Sequence, residues 1–184
     1  MASSKLKKDS VKKISVLEMS ATEARAFFLK KESYCTIDLP NYFDFDSVLK
    51  VIAKNMNGKT HVELNIGSPS NEENVNYKLL GNKDGKFSWR PFEIVNPILY
   101  TSLVNCITSD KNWKFLRSKF VEFQSDLKIQ CKSLPVESRS KKSDKAAQIS
   151  SWWSDVEQAS IAMAIDFEYM VHADIANCYP VGCI

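Results

Sequence analysis

The chain has 184 residues, 44% of them hydrophobic and 26% charged, with ten Phe, six Tyr and four Trp. This excludes an intrinsically disordered chain and suffices for one domain, or one domain and a fragment of another. The net charge of +3 permits a nucleic-acid partner without requiring one, and five widely spaced cysteines with no C-x-x-C pair and only two histidines support neither a zinc site nor a disulfide framework, so reduced, mostly buried thiols are expected.

Residues 1–15 read as a basic, poorly ordered tail, with Lys5, Lys7, Lys8, Lys12 and Lys13 and no apolar run of signal-peptide type. No stretch approaches a membrane span, so a cytoplasmic protein with no membrane partner is expected. Ser20 and Glu23 form a capping-box pattern, which starts a helix with Ala24, Phe27 and Phe28 on its buried face. The segment 33–42, with Pro40, reads as an extended connection. Asp44 caps a second helix, on which Phe45, Val48, Leu49, Ile52 and Met56 recur at helical spacing until Gly58 ends it.

Val62, Leu64 and Ile66 alternate with polar residues, so 60–66 reads as a strand. Tyr77–Leu80 and Lys86–Val95 flank a Gly- and Asp-containing turn, a hairpin signal. Asn96-Pro97 opens a helix with a cap residue followed by proline in the first turn. Asp110 caps the next helix, with Trp113, Leu116, Phe120 and Phe123 on one side and Lys111, Lys114 and Arg117 on another. Leu127, Ile129 and Cys131 alternate as a short strand, and 132–145 is a polar, basic loop or hairpin. A long helix follows over about 144–165, with Ile149, Trp152, Trp153, Val156, Ser160 and Met163 as its stripe and the tryptophans read as core and rim. Finally Phe167, Tyr169, Val171, Ala173 and Ile175 alternate with Glu168, Met170, His172 and Asp174 as a half-buried strand that carries Asp174 near its end. Helices and strands alternate without strict βαβ order, which makes the class α+β.

Two cationic clusters, one in the tail and one at Arg139, Lys141, Lys142 and Lys145, read either as solvated surface or as the footprint of a polyanion. The sharpest local signal is Val171-His172-Ala173-Asp174-Ile175-Ala176-Asn177-Cys178-Tyr179-Pro180. It resembles motif A of reverse transcriptases, where a hydrophobic strand ends in Asp-Ile and a short loop leads to an aromatic. Three further segments agree in order with the unclassified and phage-defence branch of bacterial reverse transcriptases. Ser33–Phe43 is similar to the opening segment of that branch, Arg90–Tyr100 to its first fingers motif, and Ser133–Ser138 followed by the Trp152-Trp153 helix completes the series.

The resemblance implies reverse-transcriptase fingers over 16–165 and the first strand of a truncated palm over 166–184. It implies two-metal, template-directed nucleotidyl transfer, with an RNA template, a DNA or RNA primer and deoxynucleotides as partners and two Mg²⁺ or Mn²⁺ ions in the complete enzyme. Asp174 matches the catalytic, metal-binding aspartate, and the backbone carbonyl of Ile175 the neighbouring ligand. Tyr179 matches the aromatic under the sugar that selects deoxynucleotides. Arg90, Lys141 and Lys142 are candidate phosphate contacts, with no matched counterpart in the motif. After Tyr179-Pro180 the family pattern continues into the palm, whereas this chain reads Val181-Gly182-Cys183-Ile184. The Tyr-x-Asp-Asp loop with the remaining metal-binding carboxylates and the thumb are absent, so the chain alone is expected to be inactive and to bind metal weakly. The alternative reading is a non-catalytic nucleic-acid-binding or interaction module that retains the fingers.

Overall fold

The computed structural model describes residues 13–37, 39–40, 42–66, 75–82, 89–125, 131, 133–140, 143–169, 171 and 173. They combine helices with two small antiparallel ribbons, an α+β composition, and divide into two units.

One unit is built from the described residues up to Ser20 and from residues 116–168. Its ribbon pairs β1 (Lys13–Ser15) with β4 (Val136–Ser138), in antiparallel register Lys13 to Ser138 and Ser15 to Val136. The end of the expected tail is therefore a strand. Its far partner makes it one, and the strand is ended locally: Ser15 accepts from the Leu17 N–H at 3.4 Å while Glu18 accepts from the Ser15 N–H at 3.3 Å, a capping box over the 3₁₀ turn Val16–Glu18. The Val16 N–H, left free by that turn, extends the ribbon to the Pro135 carbonyl at 2.9 Å. Val16, Met19, Val136 and Ala147 are buried.

The long helix expected over 144–165 is present as α6 (Asp144–Trp152), a π turn (Trp153–Glu157) and α7 (Gln158–Ala164). Ser143 caps it by accepting from the Ala146 N–H at 3.2 Å. Asp144 accepts instead from the Ser138 N–H at 2.7 Å, which ties the helix start to β4.

The other unit comprises Ala21–Phe115. α1 (Ala21–Phe28) begins directly after Ser20. A one-turn α2 (Lys31–Tyr34) follows, so the connection expected to be extended from 33 onward is helical as far as Tyr34. α3 (Phe45–Met56) is capped by Asp44, whose carboxylate accepts the Ser47 N–H at 3.1 Å and the Ser47 hydroxyl. It ends where Asn57 and Gly58 take left-handed conformations, φ 46° and 79°.

The expected strand at 60–66 is a set of turns. Glu63 accepts from the backbone N–H and the hydroxyl of Thr60 at 2.7 and 2.8 Å, and the Leu64 N–H reaches back to the Thr60 carbonyl at 3.2 Å. A Thr-x-x-Glu capping box won over the alternation, because it satisfies backbone donors locally while a lone strand leaves them open.

The predicted hairpin is present. β2 (Tyr77–Asn82) pairs with β3 (Trp89–Ile94), Tyr77 opposite Ile94 and Asn82 opposite Trp89. Pro91, which has no N–H to donate, is tolerated because a two-stranded ribbon consists only of edges. α4 (Pro97–Ile107) starts as expected, with the Asn96 side chain accepting from the Ile98 N–H at 2.9 Å.

α5 (Asp110–Gln124) crosses the boundary between the units. Asp110 lies in its first turn. The cap position belongs to Ser109, whose carbonyl accepts the Trp113 N–H at 2.8 Å. Trp113 is buried, but the stripe fades toward the helix end, where Phe123 is exposed. In the unit Ala21–Phe115 the core is Ala24, Phe27, Leu49, Met56, Val104 and Trp113.

The expected half-buried strand 167–175 is not formed among its described residues, Phe167–Tyr169, Val171 and Ala173, and the side chains of Phe167, Tyr169 and Val171 are exposed. Both ribbons are two-stranded among the described residues, and neither extends to this segment, so the alternation has no sheet to join. Residues 126–130 of the expected strand before Cys131 lie outside the described residues. Among the described cysteines, Cys106 and Cys131 are exposed and Cys35 is half-buried, where mostly buried thiols were expected; Cys178 and Cys183 lie outside the described residues. Among the described residues no helix is long and apolar enough to cross a membrane.

Candidate functional site

Asp174, Ile175, Tyr179, Lys141 and Lys142 lie outside the described residues. Arg90 is present through its backbone, opposite Gly81 in the β2–β3 ribbon. What the fold does bring together are the segments whose sequence drew attention.

Ser33–Phe43 and Arg90–Tyr100 meet at Tyr34. Its hydroxyl donates to the Val95 carbonyl. Its ring stands edge-on to Tyr100 at 4.9 Å and to Phe45 at 5.1 Å, and Phe43 stacks on Phe45 at 6.0 Å. The Tyr100 hydroxyl donates to the Phe28 carbonyl at 2.6 Å, at the end of α1. One aromatic cluster thus joins α1, α2, the head of α3 and the β3–α4 junction. Burial pushes the Tyr34 hydroxyl up to about 12, with Cys35 adding to the rise. Burial pushes Tyr100 to about 12 as well, with Tyr34 second. Both phenols are therefore neutral donors at ordinary pH. The junction is pinned further by Asn76, whose side chain accepts from the Asn96 N–H at 3.0 Å and donates to Glu93 at 3.2 Å.

Behind this cluster, α4 buries a polar row: Thr101, Ser102, Asn105 and Thr108. Thr101 and Thr108 donate to the carbonyls one turn back, Pro97 at 2.8 Å and Val104 at 2.7 Å. Asn105 accepts from Arg25 Nε at 2.8 Å and donates to the Lys59 carbonyl at 2.7 Å, so one amide holds α1 and the α3 exit to α4. Ser102 Oγ accepts from the His61 backbone N–H at 2.9 Å and lies 2.8 Å from His61 Nδ1.

A serine beside a histidine is also the opening of a nucleophilic site. Here Ser102 is 4% exposed and its hydroxyl already holds a backbone N–H, which makes it a strut for the 60–66 turn. The spacing of these polar residues on an otherwise apolar helix, 101, 102, 105 and 108, was the signal by which the sequence could have disclosed the row.

In the other unit, Ser133–Ser138 and the Trp152-Trp153 helix come together. Asp144 binds the β4 end, and Lys13 of β1 donates to Ser151 Oγ at 2.6 Å and to Asp155 at 3.3 Å, while Ser151 donates to Asp155 at 2.9 Å. Arg139 of the basic loop pairs with Glu137 at 3.1 Å.

The helix meets the ribbon with its small face. Ala147 is 2% and Ser151 8% exposed, whereas Trp152 is 48% and Trp153 54% exposed. The two tryptophans expected as core and rim therefore point outward, because the side opposite holds the residues small enough to approach β4 and the aspartate that Lys13 needs. Lys111, Lys114 and Arg117 are exposed on α5. Among the described residues no three His, Cys, Asp or Glu side chains gather as a metal site. The chain matches no protein-family model and no curated protein.

Proposed function

We propose that this chain is the N-terminal part of an RNA-directed DNA polymerase: fingers, followed by the strand and loop that carry the first catalytic aspartate. The observation that supports it is the pairing of the motif segments. The two that resemble the opening and first fingers motif pack on one another through Tyr34, Val95 and Tyr100, and the two later ones share the β4–α6 corner. Segments that drew attention only by sequence order thus have a physical reason to occur together.

In this reading Asp174 and the Ile175 carbonyl are hard oxygen donors of the kind divalent cations take. When bound, such ions activate a primer oxygen and neutralise the triphosphate. Two donors fall short of a full coordination shell, so the remaining carboxylates come from further palm sequence, and these 184 residues alone neither hold the ions tightly nor polymerise. Tyr179 bars a ribose 2′-hydroxyl. Arg90, Lys141 and Lys142 meet phosphate oxygens of the nucleotide or template. The deciding experiment is to sequence the DNA beyond the Pro180 codon and translate every frame. A palm continuation with an Asp-Asp pair is expected; its absence in all frames overturns the polymerase reading.

One observation favours a second reading, an interaction module that keeps the fingers: the outward tryptophan face of α6.

A further inference from the structure

An amphipathic helix normally turns its large apolar side chains inward. The helix formed by α6, the π turn and α7 does the reverse. Ala147 and Ser151 face the ribbon, while Ile149, Trp152, Trp153, Ile161 and Met163 are each about half exposed or more. Exposed apolar faces of this extent mark interaction sites. We propose that this face is a seam between two copies of the chain, paired antiparallel about a two-fold axis near Val156.

Three observations select a second copy. First, side-chain size is self-complementary about that axis. The Trp152-Trp153 end of one copy falls beside Ala159 and Ser160 of the other, so bulky meets small on both sides at once, as an isologous contact requires. Ser160 suits an aromatic neighbour, because its hydroxyl is satisfied within its own helix by the Glu157 carbonyl at 2.8 Å. Second, charge favours the antiparallel direction at the ends of the seam. Lys145 at the helix start is brought toward Asp166 and Glu168 beyond its end, whereas parallel pairing sets like on like; at the centre Asp155, which falls opposite Glu157 of the other copy, is already paired with Lys13 of its own chain at 3.3 Å. Third, the area is adequate. At about 150–250 Å² per large side chain, the five half-open residues offer roughly 500 Å² per copy, and two copies about 1,000 Å², the lower bound for a specific interface. A contact of that size is at the small end for a specific interface, so the dimer is expected to dissociate on dilution. The inference does not depend on the polymerase reading.

Sedimentation of the full chain over a concentration series tests it. The expected result is a mass rising with concentration from 20.9 kDa toward twice that value. Trp153→Glu is expected to weaken association at least about ten-fold. Ile149→Asp, at a site exposed in the single chain, should do the same and guards against a folding artefact in the first variant; unchanged far-UV and thermal profiles establish that each is folded. The thiols introduced by Val156→Cys, close to the axis, should crosslink to one another through a short bis-maleimide, as identified by mass spectrometry. A monomer at every concentration overturns the proposal, whether iodide quenches its tryptophans, leaving the face bare, or fails to, because the chain itself covers it. Association that neither substitution weakens, or crosslinks that avoid position 156, overturns it equally.

Discussion

At the scale of single residues, two polar contacts decide how α1, α3 and α4 are held. Asn105 is buried and serves Arg25 and the Lys59 carbonyl together. Asn105→Ala strips both partners at once, and since bonds to charged groups are worth about 1.5–3 kcal/mol, destabilisation of about 2–3 kcal/mol is expected by denaturant titration. Asn105→Asp keeps the acceptor for Arg25 and loses the donor to Lys59, so it should fall between wild type and alanine. Tyr34→Phe removes one neutral bond to the Val95 carbonyl and keeps the ring stacking, for a smaller loss of about 1 kcal/mol.

The same tyrosines make a pH prediction. Both phenols have folded-state values near 12 against an ordinary 10.0. The unfolded chain therefore releases these protons first as pH rises, and the stabilisation is full below pH 10 and lost between about pH 10 and 12. Thermal denaturation followed from pH 9 upward should show this fall. Tyr34→Phe should flatten it, and an equally steep curve in that variant would refute the assignment. Asp44 works in the opposite direction: its hydroxyl and backbone bonds from Ser47 lower its carboxyl below the usual range, so its share is present above that range and lost on acidification.

At the scale of elements, capping chemistry decided more than periodicity did. Asp44, Asn96 and Ser143 each accept a backbone N–H at the helix starts. Ser15 with Glu18 and Thr60 with Glu63 imposed turns on segments that were read as tail and strand. The long helix inverts the usual relation between burial and residue size, and that yields a paired prediction. Ala147→Leu forces bulk against the β1–β4 side and should cost about 1–3 kcal/mol. Ile149→Ala, normally a costly truncation, removes an exposed side chain and should change stability by less than about 0.5 kcal/mol in dilute protein. Chemical denaturation of both variants checks it; a costly Ile149→Ala with a harmless Ala147→Leu would mean that the helix is rotated.

At the scale of the whole molecule, the polymerase reading makes a statement about activity. On that reading a polypeptide of these 184 residues supplies only one of the metal-binding carboxylates a polymerase needs, so primer extension with Mg²⁺ or Mn²⁺ should not exceed a no-enzyme control. Incorporation that disappears in Asp174→Ala would show that the chain completes its site by another route. Binding to RNA or DNA through the cationic clusters and the exposed Lys111, Lys114 and Arg117 is expected at low salt, falling steeply toward physiological salt as phosphates exchange counterions for lysine and arginine. Filter binding across a salt series reads the slope, and a flat series counts against a phosphate track.

By itself the sequence determined the elements whose signals are local. The capped starts of α3 and α4, the β2–β3 hairpin and the long helix beginning near 144 were legible, because a cap, a turn or a helical stripe acts within a few residues. The resemblance at Asp174 concerns a stretch beyond the described residues. Only the tertiary structure decided what each face meets. It paired Lys13–Ser15 with a strand more than a hundred residues away, joined Tyr34 to Val95 and Tyr100, sank a polar row of α4 into one unit and turned Trp152 and Trp153 to solvent. Periodicity says that a helix has an apolar face; which face is buried depends on the size and charge of what stands opposite. Ala147, Ser151 and Asp155 against β4 and Lys13 settled that for the long helix.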